Sequence, residues 1–429
     1  MKTPISLLLL TGMGLTPVSW ADLTPKSHIG IAGVDFQSQL AIDQGYMGNV
    51  TYLPAVAPAS NAAFWGLRPR LQALAERGQD RYQLQYRGDY RRYRQAGADD
   101  YRDHDLGLLA RWRYGAMQGL TLTLQDTLGH ELRGRGISEG FLPQQFTRYG
   151  ITTPLRTTLQ DGQLRYSYGA DEGRGKAEVM LSYRRLRYGN TTQAQQADDA
   201  FYHYIREQEW HENGQVVELF DQYSPQTRFR YSLVTHQRYY RSNGQKNSNE
   251  YSLLYGVKSQ LSGNSAIDAN VSWLYKTFSA DHARPFSGLN WDVSTRWQPH
   301  PQRSIVLHSA QRIKDPSQVG GYILVSEYGL SYTQDLWRNR LSSTLDYSYR
   351  TEDYKKQADS RRDRNAILSL ALNYDFRPSI CFQLKYMRDT LRSSKRSDLF
   401  YIGPDEEQPV ERTLGYDNDL IMFTAKVQI

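Results

Sequence analysis

The chain has 429 residues, with 52 Lys and Arg against 45 Asp and Glu, a formal charge of +7 and a mean hydropathy of −0.67. No run approaches the roughly 18 to 20 apolar residues of a membrane-spanning helix, and the basic residues are scattered, which argues against nucleic-acid binding. The 32 Tyr and 8 Trp are a heavy aromatic load for so polar a chain.

Residues 1–21 read as a signal peptide. Lys2 supplies the positive end, Leu7 to Leu10 open a short apolar core, and Ser19-Trp20-Ala21 puts small residues where a signal peptidase cuts. The mature chain, 22–429, is then exported to the periplasm. No Pro/Gly/Ser-rich hinge interrupts it, so one large domain is expected. Cys381 is the single cysteine, so no intrachain disulfide can form.

From there on the dominant signal has period two. Tyr82, Leu84, Tyr86 and Tyr90 oppose Arg81, Gln83, Gln85, Arg87, Asp89 and Arg91. Later segments repeat the split. Phe229, Tyr231 and Leu233 oppose Arg228 and Arg230, and Leu368, Leu370 and Leu372 oppose Ser369, Ala371 and Asn373. Side chains alternate across a strand, so each segment has one apolar and one wet face. The pattern predicts strands over 28–38, 62–74, 80–94, 101–114, 119–131, 161–170, 176–189, 214–223, 226–240, 249–261, 265–278, 286–298, 302–313, 321–334, 338–350, 363–376, 379–391 and 414–429.

The links between these segments alternate between tight turns and long stretches, the longest over 43–61, 132–160, 190–212 and 392–413. Such alternation is the plan of an all-β transmembrane antiparallel barrel in the bacterial outer membrane, with tight periplasmic turns and longer outer loops. The expectation is about 18 strands, with 16 as the alternative, and both termini periplasmic. Hydrocarbon offers no hydrogen-bond partners, so the sheet must close. The alternating end of the chain, Ile421 to Ile429, suits a closing strand read by the barrel-assembly machinery.

Several stretches resemble the putative beta-barrel porin 2 family: Gly45-Tyr46-Met47-Gly48-Asn49-Val50, Leu67-Arg68-Pro69-Arg70-Leu71, the tyrosines from Tyr82 to Tyr93, Asp99-Asp100-Tyr101-Arg102-Asp103-His104, and Arg184 to Asn190. The resemblance runs over essentially the whole mature chain. It implies a passive conduit through which a capsule or exopolysaccharide leaves the cell, with a periplasmic polysaccharide export protein as docking partner.

The candidate functional residues are basic side chains on the wet faces: Arg81, Arg87, Arg91, Arg111, Arg113, Arg184, Arg228, Arg230, Arg238, Arg296, Arg340 and Arg350. Residues facing a barrel lumen tune its selectivity, so these would favour an anionic polymer. The plainer alternative is pairing with Asp89, Asp105, Asp292 and Asp346. Among the loop aromatics, Phe201, Tyr202, Tyr204 and Trp210 are candidates for contact with sugar, whereas Tyr82, Tyr90, Trp112, Trp273, Tyr275, Trp291 and Trp297 suit the lipid face.

Enzyme signatures are weak. Asp103-His104-Asp105 and Asp281-His282 are chance neighbours of the kind any long chain contains, and His203 and His211 beside Glu207, Glu209 and Glu212 have no metal-site spacing. No cofactor, metal or catalytic role is expected. The leading function is polysaccharide export. A sugar-uptake or general porin is the alternative, and an adhesin or receptor with a closed lumen is the rival of another class.

Overall fold

The computed structural model describes residues 29–428 apart from 32, 172, 281–282, 284, 316–320, 338–339, 356–359 and 404–406. The expected signal peptide, Asp281-His282 and Ile429 lie outside the described residues.

The main sheet has 19 strands, one of which is the short segment Ile29–Ile31, leaving 18 that form the wall. They are β1 (Val34–Met47), β2 (Ala62–Arg77), β3 (Asp80–Tyr93), β4 (Tyr101–Tyr114), β5 (Gln118–Glu131), β6 (Leu155–Tyr168), β7 (Gly175–Gly189), β8 (Trp210–Ser224), β9 (Thr227–Tyr240), β10 (Ser248–Ser262), β11 (Ser265–Phe278), β12 (Phe286–His300), β13 (Arg303–Lys314), β14 (Tyr322–Trp337), β15 (Leu341–Lys355), β16 (Arg362–Arg377), β17 (Ile380–Ser393) and β18 (Tyr416–Gln428). Each pairs antiparallel with the next, and β18 pairs back onto β1 from Gln39 opposite Gln428 to Met47 opposite Leu420. The sheet is therefore a closed antiparallel barrel with no free edge, of 18 strands and not 16. Among the described residues no helix is long and apolar enough to cross a membrane; the crossing is made by strands.

One face of the wall is apolar all the way round. Leu124, Leu164, Leu181, Leu233, Leu253, Trp273, Leu307 and Leu370 belong to it, and each is exposed on the outside of the barrel. These side chains cover hydrocarbon rather than a protein core, so exposure here means contact with lipid. Tyr114, Tyr168, Tyr223, Trp297 and Trp337 are exposed at the end with the tight turns, where amphipathic rings suit the lipid interface. Tyr82 and Trp112 also lie on the outer face, in edge contact at 6.3 Å.

Links at one end are tight, as at 78–79, 225–226, 263–264, 301–302 and 378–379. At the other they are longer, and four dominate: 48–61, 132–154, 190–209 and 394–415. Three of these are shorter than the sequence pattern suggests, because strands run on into them. The first strand is displaced most. Ile29–Ile31 folds back on Val34–Phe36, and β1 proper continues to Met47. Asp43, Gln44 and Gly45 look turn-like in sequence, but Asp43 points inward, fixed by Arg68 at 2.6 Å and Thr424 at 2.7 Å. Likewise β6 begins at Leu155 and β8 at Trp210. The link 394–415 is not plain loop either; it holds a hairpin, Ser397–Ile402 against Gln408–Thr413.

The long links carry short helices, α1 (Pro143–Arg148), α2 (Thr192–Ala197) and α3 (Asp199–Glu207). In α3 the N-terminus is capped by the Asp198 carboxylate, which accepts from the Phe201 amide at 2.9 Å. That cap turns Phe201, Tyr204 and Ile205 into a core made by the four links.

The candidate site in the lumen and its mouth

The strand register places Arg81, Arg87, Arg91, Arg111, Arg113, Arg184, Arg228, Arg230, Arg238, Arg296 and Arg350 on the face opposite the apolar one, toward the lumen. Arg340 differs: it lies in the turn between β14 and β15, its amide donating to the Trp337 carbonyl, and it is exposed off the wall. The sequence pattern put it on a strand because the following alternation begins one residue later, at Leu341.

Carboxylates answer many of these cations, though mostly not the ones sequence proximity suggests. Arg184 meets Asp161 at 3.0 Å, and Arg350 lies between Glu327 and Glu352 at 3.8 and 3.7 Å. Arg111 and Arg113 share Asp171. Arg230 approaches Glu218 at 3.9 Å. Asp105 is held instead by Gln125 and Thr127, and Asp292 by His308. Arg228 sits over the Phe220 ring at 4.1 Å. Arg296 is exposed and has no ion pair among the described residues.

A buried charge cluster closes the top of β8 to β11. Asp315, in the link after β13, binds Lys276 at 2.6 Å and Arg238 at 2.8 Å, and Arg238 also binds Glu212 at 2.7 Å. Burial by itself would raise the Asp315 carboxyl, but Lys276 and Arg238 outweigh it and hold it at about 2. Asp171 is treated the same way in the link 169–174: desolvation is overcome by Lys176 and Arg111, and its carboxyl is held at about 2.

The wall is not uniformly wet. On β10 to β13, Lys258 keeps 63% and Asp292 61% of its side chain accessible. On β16 to β18 the inward polar side chains are buried, Thr424 at 0% and Gln383 at 2%. There they satisfy one another: Gln383 donates to Asn373 at 2.7 Å, Asn365 to Asp389 at 2.7 Å, and Tyr416 to Asp389 at 3.2 Å. Water reaches the lumen along β10 to β13, and a bonded polar layer lines β16 to β18.

The arginines of β3 and β4 are legible in the sequence, but the glutamines and Arg70 that join them across β1 to β3 are not among its candidates. The register sets Gln37 opposite Gln72 and Gln72 opposite Gln85. The next row runs Gln39, Arg70, Arg87, Asp105. A further row places Glu76 opposite Arg81 and Arg81 opposite Arg111. The signal was present as Gln37-Ser38-Gln39 and Gln83-Leu84-Gln85, glutamines two apart on the face shared with arginine.

At the mouth, the four long links interlock. Phe141, Phe146, Tyr149, Phe201, Tyr204 and Phe400 form one aromatic core, with Tyr149 and Phe201 rings 4.6 Å apart and Tyr204 and Phe400 rings 4.9 Å apart. Phe201 and Tyr204, expected to meet solvent or sugar, are therefore packed inside this lid; rings on an amphipathic turn capped by Asp198 bury against the neighbouring links. Tyr202 is half-buried against His203, and Trp210 begins β8, with the Arg238 guanidinium over its ring at 4.4 Å. Two glycines fix the docking. Gly140 and Gly150 hold φ +79° and +65°, and a Cβ on them would lie 2.5 Å from the Thr413 carbonyl and 2.4 Å from that of Gln193.

Asn49 ties the link 48–61 inward. Its amide nitrogen donates to the Leu53 and Asp417 carbonyls, its oxygen accepts from the Leu53 amide, and its own backbone N–H donates to Asn418 Oδ1. Below this link lies a cavity of about 260 Å3, lined by Arg68, Arg91, Lys385 and Tyr101 among others.

Asp103 and His104 part to opposite faces of β4. Asp103 faces the lumen and meets His130 at 2.8 Å, while His104 faces outward and bonds the Tyr86 hydroxyl at 2.8 Å. His211 lies on the outer face of β8, stacked on Tyr239. Among the described residues no group of His, Cys, Asp and Glu converges as a metal site.

Residues 35–400 match the family described as putative beta-barrel porin 2. No curated protein matches the chain. Among solved structures the chain is similar to OccK3 (OpdO) of Pseudomonas aeruginosa, at 12% identity, covering 92% of this chain and 96% of that one, with a TM-score of 0.48. A BenF-like porin from Pseudomonas fluorescens follows at 9% identity, 92% and 99% coverage and a TM-score of 0.49. The FrpB iron transporter from Neisseria meningitidis matches at 9% identity, 92% and 82% coverage and a TM-score of 0.44.

Proposed function

We propose, because this chain belongs to the putative beta-barrel porin 2 family, that its lumen is a passive conduit through which a hydrated, anionic polysaccharide crosses the bacterial outer membrane on its way out of the cell. The barrel is an outer-membrane porin-like channel; the polymer and its direction are our reading. The observation that carries it is the glutamine and arginine wall of β1 to β4. Glutamine amides offer both donors and acceptors to sugar hydroxyls, and guanidinium forks suit carboxylates. Arg70 opposite Arg87 and Arg81 opposite Arg111 set guanidinium groups side by side, with Glu76, Asp105 and Asp171 as neighbouring carboxylates, a row that offers a passing anion several donors. Spread over several rows, such contacts hold a chain weakly at many points, as conduction requires.

In this reading the tight turns face the periplasm, where a polysaccharide export protein docks, and the lid faces outward. Deleting the gene tests it. Loss of surface polysaccharide with precursor accumulating in the periplasm supports export. Unchanged surface polysaccharide overturns it, and slower growth on one sugar would then point to uptake. One feature favours that second reading: the lid covers part of the mouth, which suits a small solute better than a wide polymer. The water-accessible Lys258 and Asp292 weigh against an adhesin whose lumen is closed.

A further inference from the structure

Beyond the apolar belt the outer face of the wall turns basic, and it does so unevenly. On β6 the outward row runs Leu164, Gly162, Gln160, Thr158, Arg156. On β7 it runs Leu181, Tyr183, Arg185, Arg187, with Gln160 opposite Arg185 and Thr158 opposite Arg187. Arg156 and Arg187 are exposed and Arg185 is half-buried. None of the three has an ion pair among the described residues.

Elsewhere at this level cations are neutralised on the spot. On β15 to β18, Arg362 meets Asp353, and Arg392 meets Asp417 at 2.7 Å. Around β6 and β7 the acids point away or are engaged. Asp161 and Glu212 face the lumen, with Arg184 and Arg238. In the link above, Asp198 caps α3 and Glu209 takes Arg206. Asp126 on β5 shares the outer row of Gln160 and Arg185, with Gln160 standing between the two. Three guanidinium groups against that one carboxylate leave the patch two charges positive.

Height decides what meets these charges. Leu164, Leu181 and Tyr183 are exposed on the lipid face. Two residues advance a strand by about 7 Å, and by less than that in height because the strand is tilted. Arg185 therefore lies just above Tyr183, in a headgroup layer about 5 to 7 Å deep. A guanidinium fork there matches a phosphate with two parallel hydrogen bonds. Arg156 stands opposite Gly189, which makes it the diagonal neighbour of Arg187, so two forks reach one phosphate. His211 opposes Arg185 and stacks on Tyr239, ring centroids 5.3 Å apart, and Asn213 is exposed one outward position lower. Ring faces suit the C–H face of a sugar, and side-chain amides suit its hydroxyls.

We propose that the outer rim of β6 to β8 binds a lipid whose sugar headgroup carries phosphate. The phosphate sits between Arg156 and Arg187, Arg185 is the further cation, and the sugar lies against His211 and Gln160. The acyl chains then run down over Leu164 and Leu181. The site needs the long links to face the outer leaflet, and it does not depend on what the lumen carries.

Native mass spectrometry of the full barrel in detergent, titrated with diphosphoryl lipid A, tests the site. Lipid A stripped of its phosphates and phosphatidylglycerol are the controls. The expected result is diphosphoryl lipid A held on the barrel at concentrations where neither control is held. Arg185→Gln with Arg187→Gln should weaken it by roughly fivefold for each charge removed. Arg388→Gln with Arg392→Gln, the same charge change on β17, should leave it as it was. All four side chains lie outside the bonded interior of the wall, and unchanged heat-modifiable mobility on a gel checks each fold. Phosphate-free lipid A or phosphatidylglycerol held as well as the diphosphoryl form, no lipid held at all, or equal losses in the two double variants overturn the site. Deletion of the gene reads the conduit separately. A barrel that exports polymer but holds no lipid A keeps the conduit and loses this site; one that holds lipid A without exporting loses the conduit alone.

Discussion

At the scale of single residues, the structure turns on side chains whose roles depend on distant partners. Asn49 is the clearest. Its side chain and amide bond Leu53, Asp417 and Asn418, and all of these groups are buried or half-buried. Asn49→Ala strands several backbone groups, each costing about 1 to 3 kcal/mol when left unsatisfied. The expected result is a link 48–61 that limited proteolysis cuts at least tenfold faster, while the barrel keeps its heat-modifiable mobility on a gel. Asp315 makes a second case. Its carboxyl is held below the ordinary aspartate value, so its contribution is fully present above the unfolded value of about 4 and is lost only as pH falls through about 2. The cluster is therefore charged throughout the neutral range. Asp315→Asn leaves Lys276 with Glu250 alone and Arg238 with Glu212 alone and should cost about 3 kcal/mol, the low end for a broken buried pair, measured as a lower unfolding temperature at pH 7. Little of this was legible in advance. Asn49 stood out only through a family pattern, and Asp315 falls in a link with no periodicity, because a contact across 77 positions to Arg238 leaves no local mark.

At the scale of elements, the strands were readable and the links were not. Alternation is written into each strand by the two media it separates, so Leu368, Leu370 and Leu372 announce their face without help from the rest of the chain. Strand ends are blurred, because beyond the hydrocarbon the outward side chains turn polar and alternation fades, as at Arg156, Thr158 and Gln160 of β6. The lid was misread for a related reason. Phe201 and Tyr204 look like exposed loop aromatics until the partners from 132–154 and 394–415 are known. Two substitutions check the faces. Leu370→Arg, on the outer face near mid-strand, should destabilise the folded barrel in lipid by about 2 to 4 kcal/mol. Ser331→Arg, on the lumen face of β14, should leave unfolding in urea nearly unchanged. Equal costs at both positions would invert the register. For the lid, Phe201→Ala removes a fully buried ring from the aromatic core, a change worth about 3 to 5 kcal/mol in a well-packed site. It should raise single-channel conductance or its noise without unfolding the wall, since the four links meet one another there rather than the strands alone.

For the whole molecule, the question is what the summed charges do to a passing ion. Cations and carboxylates both line the lumen, and pairs such as Arg184 with Asp161 cancel locally. A strong, uniform anion filter is therefore not what the wall builds. The cations are placed unevenly, gathered in the directly opposed arginines of β2 to β4. Fields from such patches reach about one Debye length, roughly 10 Å at 0.1 M salt and 3 Å at 1 M. In a lumen as wide as that of an 18-stranded barrel, the patch acts on the whole passage only in dilute salt. Reversal potentials across a planar bilayer should accordingly show a modest preference for chloride over potassium in a gradient near 0.1 M, shrinking toward none near 1 M. Arg70→Gln with Arg87→Gln should abolish most of the dilute-salt preference while leaving conductance at 1 M nearly unchanged, because polar side chains still line the wall and the backbone ladder between β2 and β3 is untouched. A clear preference for cations in the intact barrel would sink the anionic reading of the conduit, whatever polymer it carries.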